Sequence, residues 1–265
     1  MMRNGPLALI FHTLFITFTL APLVVVCLVA FTDKGYLSMP FDGASWRWFA
    51  AILDNPEFVD GFWFSLQLGV ASATLALVLS VPAALAIGRY SFPGRGAINA
   101  FLLSPLMIPH LVLGVAFLRF FSEADLNGTY LGLVLAHTLL IMPYALRLVL
   151  SGTSGIDPTL EHAAHSLGAS SWTTFKRVTL PLLMPGIASG WVLAFITSFD
   201  ELTMSIFLAS PSSTTLPVRM YLHIEETIDP LVASVSAVLI FITLALMLVL
   251  DRLFGIERLM VGKGH

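Results

Sequence analysis

Long apolar stretches follow one another along this sequence, and they constrain its fold more than any other feature. A hydrocarbon core about 30 Å thick is crossed by a helix of roughly 20 residues at about 1.5 Å per residue. Six stretches reach that length, at residues 7–31, 62–87, 98–118, 130–150, 185–208 and 231–250. Only 11% of the residues are charged, against about 25% in a soluble domain. The sequence therefore predicts an all-α membrane protein, a single transmembrane domain over residues 1–265 with six transmembrane helices.

Prolines predict where some of these helices bend or end. Pro105 and Pro109 lie within the third stretch, so that span is predicted to be kinked. Pro181 disfavours helix in the residue before it, so a helix approaching it is predicted to end by Leu180.

Basic residues indicate how the six spans are oriented. If the chain alternates sides at each span, nine of the 13 Lys and Arg residues fall on one side: Arg3, Arg89, Arg95, Arg147, Lys176, Arg177, Arg252, Arg258 and Lys263. The other side has four, namely Lys34, Arg47, Arg119 and Arg219. Cytoplasmic loops of membrane proteins carry the excess of positive charge. Both termini, and the loop between spans four and five, are therefore predicted to be cytoplasmic.

That loop, residues 157–181, is the one sizeable polar run between apolar stretches. Asp157 is a candidate helix N-cap, and Pro158 suits the first helical position, where its missing N–H leaves no bond unmade. One face of the predicted helix is a narrow apolar stripe with helical spacing, made of Leu160, Ala163, Ala164 and Leu167. Gly168 can adopt the left-handed conformation that ends such a helix, and Ser170 or Ser171 can cap a second one.

The same loop resembles the EAA loop of ABC-importer permease subunits. The family pattern is E-A-A, three residues, G, nine residues, I, one residue, L-P, and the matching residues are Glu161, Ala163, Ala164, Gly168, Val178, Leu180 and Pro181. The spacing after Gly168 fits without a gap, but His162 occupies the glutamate position and Glu161 lies one residue earlier. In that family the loop is a coupling helix that docks in a groove of a cytoplasmic ATPase. The resemblance therefore implies ATPase-coupling roles for Glu161, His162, Ala163, Ala164, Leu167, Gly168, Leu180 and Pro181. It leaves open whether Glu161 or His162 makes the contact with the ATPase that the glutamate of the family motif makes.

A closer likeness extends over most of the chain after the first span. It is carried by Trp191, Ser198, Phe199, Asp200, Glu201, Ser210, Pro211 and the run from Leu216 to Arg219, which resemble the spermidine/putrescine branch of type I importer permeases. The resemblance implies a MetI-like fold in the lipid of the bacterial inner membrane. It also implies as partners a second permease chain that differs from this one, two ATPase subunits and a periplasmic substrate-binding protein.

Asp200 and Glu201 are the acidic pair within predicted span five. A carboxylate at the centre of a bilayer costs about 2.5–3.5 kcal/mol, so it is kept where it meets protein, water or a cation. Adjacent helical residues point about 100° apart, so the two acids cannot both be directed at one spot. We expect at least one of them to face the substrate pathway and attract a cationic amine. The alternative is that both serve the fold or pair with a partner subunit. Trp191 is a further pathway candidate, since an aromatic face attracts cations, although a tryptophan in such a position is more often a packing residue.

The resemblance favours a small polyamine or related amine as substrate, and 4-aminobutyrate, an opine or another small solute stays open. No G-x-x-x-x-G-K-[ST] motif occurs, so ATP and Mg²⁺ are expected on the partner ATPase, and this chain is expected to need no cofactor. Neither H-E-x-x-H, C-x-x-C nor G-x-S-x-G is present, so no catalytic or metal residues are predicted. The chain is interpreted as a transport subunit rather than an enzyme.

Three other interpretations carry less weight. The loop also resembles a DNA-binding helix-turn-helix in L-G-A-S-x-x-T-x-x-x-R, but a net charge of −3 without a basic patch indicates no nucleic-acid partner. An intramembrane hydrolase would work without ATP or partners. A stand-alone channel or secondary transporter would work as a single polypeptide.

Overall fold

The computed structural model describes residues 5–41 and 43–254, and the regular secondary structure of this part of the chain is helical apart from one isolated β-bridge between Thr32 and Ala44. Arg3, Arg258 and Lys263, used above for orientation, lie outside it. In chain order its helices are α1 (Pro6–Val29), α2 (Arg47–Asp54), α3 (Pro56–Arg89), α4 (Arg95–Leu103), α5 (His110–Glu123), α6 (Tyr130–Ser154), α7 (Thr159–Ser166), α8 (Ser171–Thr174), α9 (Leu180–Phe199), α10 (Ser205–Leu208), α11 (Leu216–Glu226) and α12 (Leu231–Phe254). A 3₁₀ turn, Ser104–Met107, follows α4, and a π turn, Phe175–Thr179, joins α8 to α9.

The described residues form two compact units, one of residues 5–41, 43–59 and 219–254 and the other of residues 60–218. In the first unit, α1 packs on α12, and Ser234 donates a hydrogen bond to the Ala30 carbonyl at 3.1 Å. Arg219 pairs with Glu57, and Nε2 of His223 lies 3.1 Å from Oδ1 of Asp229. No residue of α1 is buried, as suits a helix whose side chains meet lipid.

The second unit is built on the packing of α9 against α6. Gly186, Gly190 and Ala194 repeat at every fourth residue of α9, and the two glycines lie against Gly152 and Ala145 of α6. A Cβ added to Gly186 would lie 3.0 Å from the Leu148 carbonyl and 3.6 Å from the Gly152 Cα. Small residues let membrane helices approach this closely, so dispersion contacts replace the hydrophobic driving force that lipid does not supply.

Helix α3 completes this core through apolar packing and hydrogen bonds to α6. Leu68, Ala73 and Ala76 are fully buried. Ser72 donates to the Val134 carbonyl at 3.4 Å, and Ser80 donates to the Met142 carbonyl at 3.3 Å. Hydroxyls bonded across helices hold membrane bundles in register.

Four helical segments of the described residues are long and apolar enough to cross a membrane: α1, α3, α6 and Ser171–Phe199. They include most of predicted spans one, two, four and five. The apolar stretch of α12 within the described residues, Leu231–Ala245, is shorter, so the count of six spans is not confirmed. The prediction of one transmembrane domain is likewise untested.

The third predicted span is broken rather than kinked. Arg95–Met107 and His110–Glu123 are inclined at 102° to each other, and counting them as one span brings the total to five. Ile108 is extended, with φ −95° and ψ 128°. Pro109 explains the break, because it has no N–H to continue the helix and disfavours helical geometry at Ile108.

The helix end predicted before Pro181 is also wrong. From Ser171 the chain is helical through the π turn into α9, with Pro181 in the first turn of α9. A π turn shifts the hydrogen-bonding register just upstream of the proline, and this accommodates a residue without an N–H. The prediction for span five, 185–208, also extends too far at its C-terminal end, because α9 stops at Phe199.

Candidate functional site

The polar loop forms a helical elbow, defined here as residues 157–181. The Asp157 carboxylate accepts a hydrogen bond of 2.9 Å from the Thr159 N–H, and α7 begins there, one residue after Pro158. Gly168 is left-handed, with φ +84°, as predicted. Of the two candidate caps for the second helix it is Ser170 that accepts, from the Thr173 N–H at 3.3 Å. The hydrogen bonds that Asp157 accepts from the backbone and the side chain of Thr159 lower the pKa of the Asp157 carboxyl.

Most of the predicted coupling residues are exposed on this elbow. His162, Ala163 and Gly168 are exposed, and Leu167 is 89% exposed. Trp172 of α8, which stacks on Phe175, is 70% exposed. The apolar stripe of α7 is therefore not used in this chain's own core, and its exposure is what a surface for another protein requires.

Glu161 is turned the other way. Its Oε1 accepts hydrogen bonds from Nη1 of Arg89, the last residue of α3, and from Oγ1 of Thr179, the last residue of the π turn. Partial burial alone would raise the pKa of the Glu161 carboxyl, but the bonds from Arg89 and Thr179 and the Arg89 charge hold that pKa below its usual value. Glu161 and its neighbour His162 are thus separated: one is bonded internally and the other faces outward.

The second candidate site lies where α9 ends. Asp200 is the C-cap residue of α9 and Glu201 follows it. The prediction that both acids lie inside a membrane-spanning helix is therefore wrong. Asp200 is exposed, and its carboxylate contacts no hydrogen-bonding or ionic partner among the described residues. It is free to meet a solute.

Glu201 is 5% exposed and both of its oxygens are engaged. Oε1 accepts from the Met204 N–H at 2.6 Å, and Oε2 lies 2.9 Å from Nδ1 of His110, the first residue of α5. This carboxylate therefore closes the turn after α9 and fastens it to α5 at the point where the third span is broken. The alternative in which an acid serves the fold applies to Glu201.

Histidine and serine side chains extend this polar cluster into the core. His137 of α6 is fully buried, and its ring nitrogens lie 2.8 Å from Oγ of Ser198 and 3.0 Å from Oγ of Ser205. The cluster joins α5, α6 and both sides of the α9 end. Sequence reasoning missed His110 and His137, because nothing local in the sequence marks their partners.

Trp191 is anchored on its own chain. Its Nε1 donates to Oγ1 of Thr74 at 3.1 Å, and its ring stacks on Phe195 with centroids 5.4 Å apart. Phe195 in turn contacts Phe199, which precedes Asp200. The three half-buried rings form an aromatic row at every fourth residue of α9, a spacing readable in the sequence but not noticed there. The role of Trp191 in the substrate pathway stays a prediction.

Within residues 5–41 and 43–254, no three His, Cys, Asp or Glu side chains come together in a way that could hold a metal ion. The chemistry of the two sites is that of charge pairing and surface contact.

Comparison with known proteins identifies the family. Residues 76–256 match the family described as binding-protein-dependent transport system inner membrane component. The spermidine/putrescine transport system permease protein PotC of Haemophilus influenzae is 29% identical to this chain, covering 92% of this chain and 93% of that protein. A Salmonella paratyphi A protein provisionally named 2-aminoethylphosphonate transport system permease protein PhnV is 32% identical and covers 91% of each chain.

Solved structures show the same fold. A bacterial ABC transporter that imports the acidic polysaccharide alginate has a chain that matches with a TM-score of 0.72 at 15% identity, covering 94% of this chain and 95% of that one. A chain of the MetNI methionine ABC transporter matches with a TM-score of 0.60 at 21% identity, covering 74% of this chain and 94% of that one. The matching family excludes the DNA-binding, hydrolase and stand-alone transporter interpretations. The chain belongs to the binding-protein-dependent transport system inner membrane components: it is a membrane-spanning permease subunit of an ABC importer with the MetI-like fold, and not an enzyme.

Proposed function

We propose that this permease imports a small cationic amine of the polyamine class and that Asp200 is the acid of its pathway. The observation that carries the proposal is a contrast: Asp200 is exposed and has no side-chain partner among the described residues, whereas both carboxylate oxygens of Glu201 are engaged. The name of the PotC relative, which refers to spermidine and putrescine, supports the amine class.

The test is uptake of radiolabelled spermidine by vesicles that carry the complete importer. A charge-assisted hydrogen bond is worth about 1.5–3 kcal/mol, so Asp200→Asn is expected to lower the rate of uptake at limiting spermidine by about tenfold or more. Glu225→Gln, which removes another exposed acid from the described chain, is the matched control and should leave uptake unchanged. Equal uptake by wild type and Asp200→Asn would remove the proposed role of Asp200.

A second candidate substrate is an amine that also carries an anionic group. The relative named for 2-aminoethylphosphonate, at 32% identity, favours it. Competition separates the two: excess unlabelled putrescine abolishes spermidine uptake if the substrate is a polyamine, whereas excess 2-aminoethylphosphonate or 4-aminobutyrate does so if the substrate is zwitterionic.

We further propose that the elbow is cytoplasmic, with both termini on the same side, and that α7 docks on an ATPase that binds ATP and Mg²⁺. The assembly would contain two ATPase subunits, a second and different permease chain and a periplasmic binding protein. The exposed His162, Ala163 and Leu167 are the docking residues. ATP-driven closure of the ATPases would then move α7 as a lever and switch the spans between inward-facing and outward-facing states.

Co-purification tests the docking. Leu167→Asp places a charge at the C-cap of α7, on the most exposed large apolar side chain of the elbow, and should reduce the ATPase recovered with the tagged permease by several-fold. Full recovery of the ATPase with this variant would contradict docking through α7. Reaction of a cysteine introduced by Lys176→Cys with an impermeant reagent in intact cells would contradict the cytoplasmic placement; Cys27→Ser removes the native thiol from the test.

A further inference from the structure

Three separate elements meet at the carboxylate of Glu161. Glu161 lies in the first turn of α7, Arg89 ends α3, and Thr179 ends the π turn that leads into α9. Both partners donate to the same oxygen of Glu161. The Arg89 and Glu161 side chains are 23% and 20% exposed, and Thr179 is buried.

No other side-chain hydrogen bond joins α7 to another helix within the part of the chain that the structure describes. Asp157 bonds to Thr159, His165 to Ala169 and Ser166 to His162, all within the elbow itself. The backbone on either side of α7 contains Gly155 and the left-handed Gly168. Glycine loosens a chain because it has the widest backbone freedom. A force on α7 therefore has one polar connection through which to reach α3 and α9 directly.

We propose that Glu161 is a positioning residue that connects α7 to the ends of α3 and α9, so that displacement of α7 moves both spans, and that it makes no contact with the ATPase. The proposal rests on the docking role of α7 given above. It assigns the two adjacent residues different tasks: His162 faces the partner, and Glu161 transmits the movement inward. Arginine suits this connection because its guanidinium stays charged and bonds carboxylates in a fixed geometry.

The experiment uses the complete importer in proteoliposomes and measures three quantities: the ATPase that co-purifies, its rate of ATP hydrolysis, and radiolabelled spermidine accumulated per ATP hydrolysed. Glu161→Gln and Arg89→Gln should keep the ATPase bound and hydrolysing while transport per ATP falls about fivefold or more. The exchange Arg89→Glu with Glu161→Arg should restore at least half of the loss, because it rebuilds the pair. A residue with a merely structural role would change the amount of folded complex and not this ratio.

The matched control is the ion pair between Arg119 and Glu123 of α5, whose side chains are 81% and 62% exposed. Exposed pairs contribute little, so Glu123→Gln should change none of the three quantities. Loss of the ATPase from the Glu161→Gln complex would overturn the inference by showing that Glu161 is a docking contact. Unchanged transport per ATP in that variant would overturn it as well. Failure of the wild-type permease to retain an ATPase would instead reject the proposed docking itself.

Discussion

The elbow and the end of α9 each present two adjacent polar residues, and in both places the structure separates them in the same way. Glu161 and Glu201 are bonded inside the chain, while His162 and Asp200 are exposed. The two glutamates nevertheless differ. Glu161 is one-fifth exposed and pairs with an arginine 72 residues away, whereas the nearly buried Glu201 caps the turn to Met204 and contacts His110.

This difference indicates two uses of an internal carboxylate in one permease. Glu201 satisfies a backbone N–H at the point where the chain leaves α9, so it maintains a local shape. Glu161 satisfies no backbone group and joins elements that are far apart in sequence, so it relates the position of one helix to that of two others. Removing Glu201 should therefore affect stability first, and removing Glu161 should affect coupling first.

The largest effect on stability is expected for Glu201→Ala. This change leaves the Met204 N–H and His110 without their partner. His110 is 36% exposed, so the cost falls mainly on the buried Met204 N–H, whose hydrogen bond to a carboxylate is worth up to about 3 kcal/mol. The midpoint of thermal unfolding in detergent should fall by about 5–10 °C. A fall of less than about 2 °C in this midpoint would mean that the turn after α9 does not depend on the Glu201 carboxylate.

A smaller, pH-dependent effect is expected for Glu161→Gln. Because the folded pKa of Glu161 is depressed, its contribution to stability is present above the unfolded glutamate pKa of about 4.3 and is lost as the pH falls through the folded pKa. Wild type should therefore be more stable than Glu161→Gln by about 1–2 kcal/mol near pH 7, and the difference should close at acidic pH. Unfolding midpoints of both proteins across this range measure it, and a difference that does not change with pH would contradict the depressed pKa.

The smallest effects are expected for the exposed neighbours. Asp200→Asn and His162→Gln should each change the free energy of unfolding by less than about 0.5 kcal/mol, because neither side chain is used in the described core. The same unfolding measurements test this. A loss comparable to that of Glu201→Ala would abolish the contrast between the internal and the exposed member of each pair.

Sequence reasoning succeeded where the cause is local. The cap at Asp157, the left-handed Gly168 and the cap at Ser170 each depend on residues within a few positions. The apolar stretches were found for the same reason, since length and composition set them. The spacing of the EAA loop also pointed to the family that the comparisons show.

It failed where distant residues decide. Pro109 predicted a bend in the third span, but a proline alone does not set the size of the bend, which is 102°. The bonds from Arg89 to Glu161 and from His110 to Glu201 join residues 72 and 91 positions apart, and no local pattern announces them. Pro181 was expected to end a helix because proline disfavours helix in the residue before it. The π turn that accommodates Pro181 has no recognised signature in the sequence, so it was not predicted.

That π turn has a consequence for how the protein can vary. A π turn holds one residue more than the α-helical turn it replaces, and each residue rotates a helix by about 100°. Deleting one residue between Phe175 and Thr179 would therefore leave an unbroken α-helix and keep α8 and the elbow at about the same angle around the axis of α9. Deleting one residue from the first turns of α9 would instead turn the elbow by about 100°, so the π turn is a place where this segment can lose a residue without redirecting the docking surface.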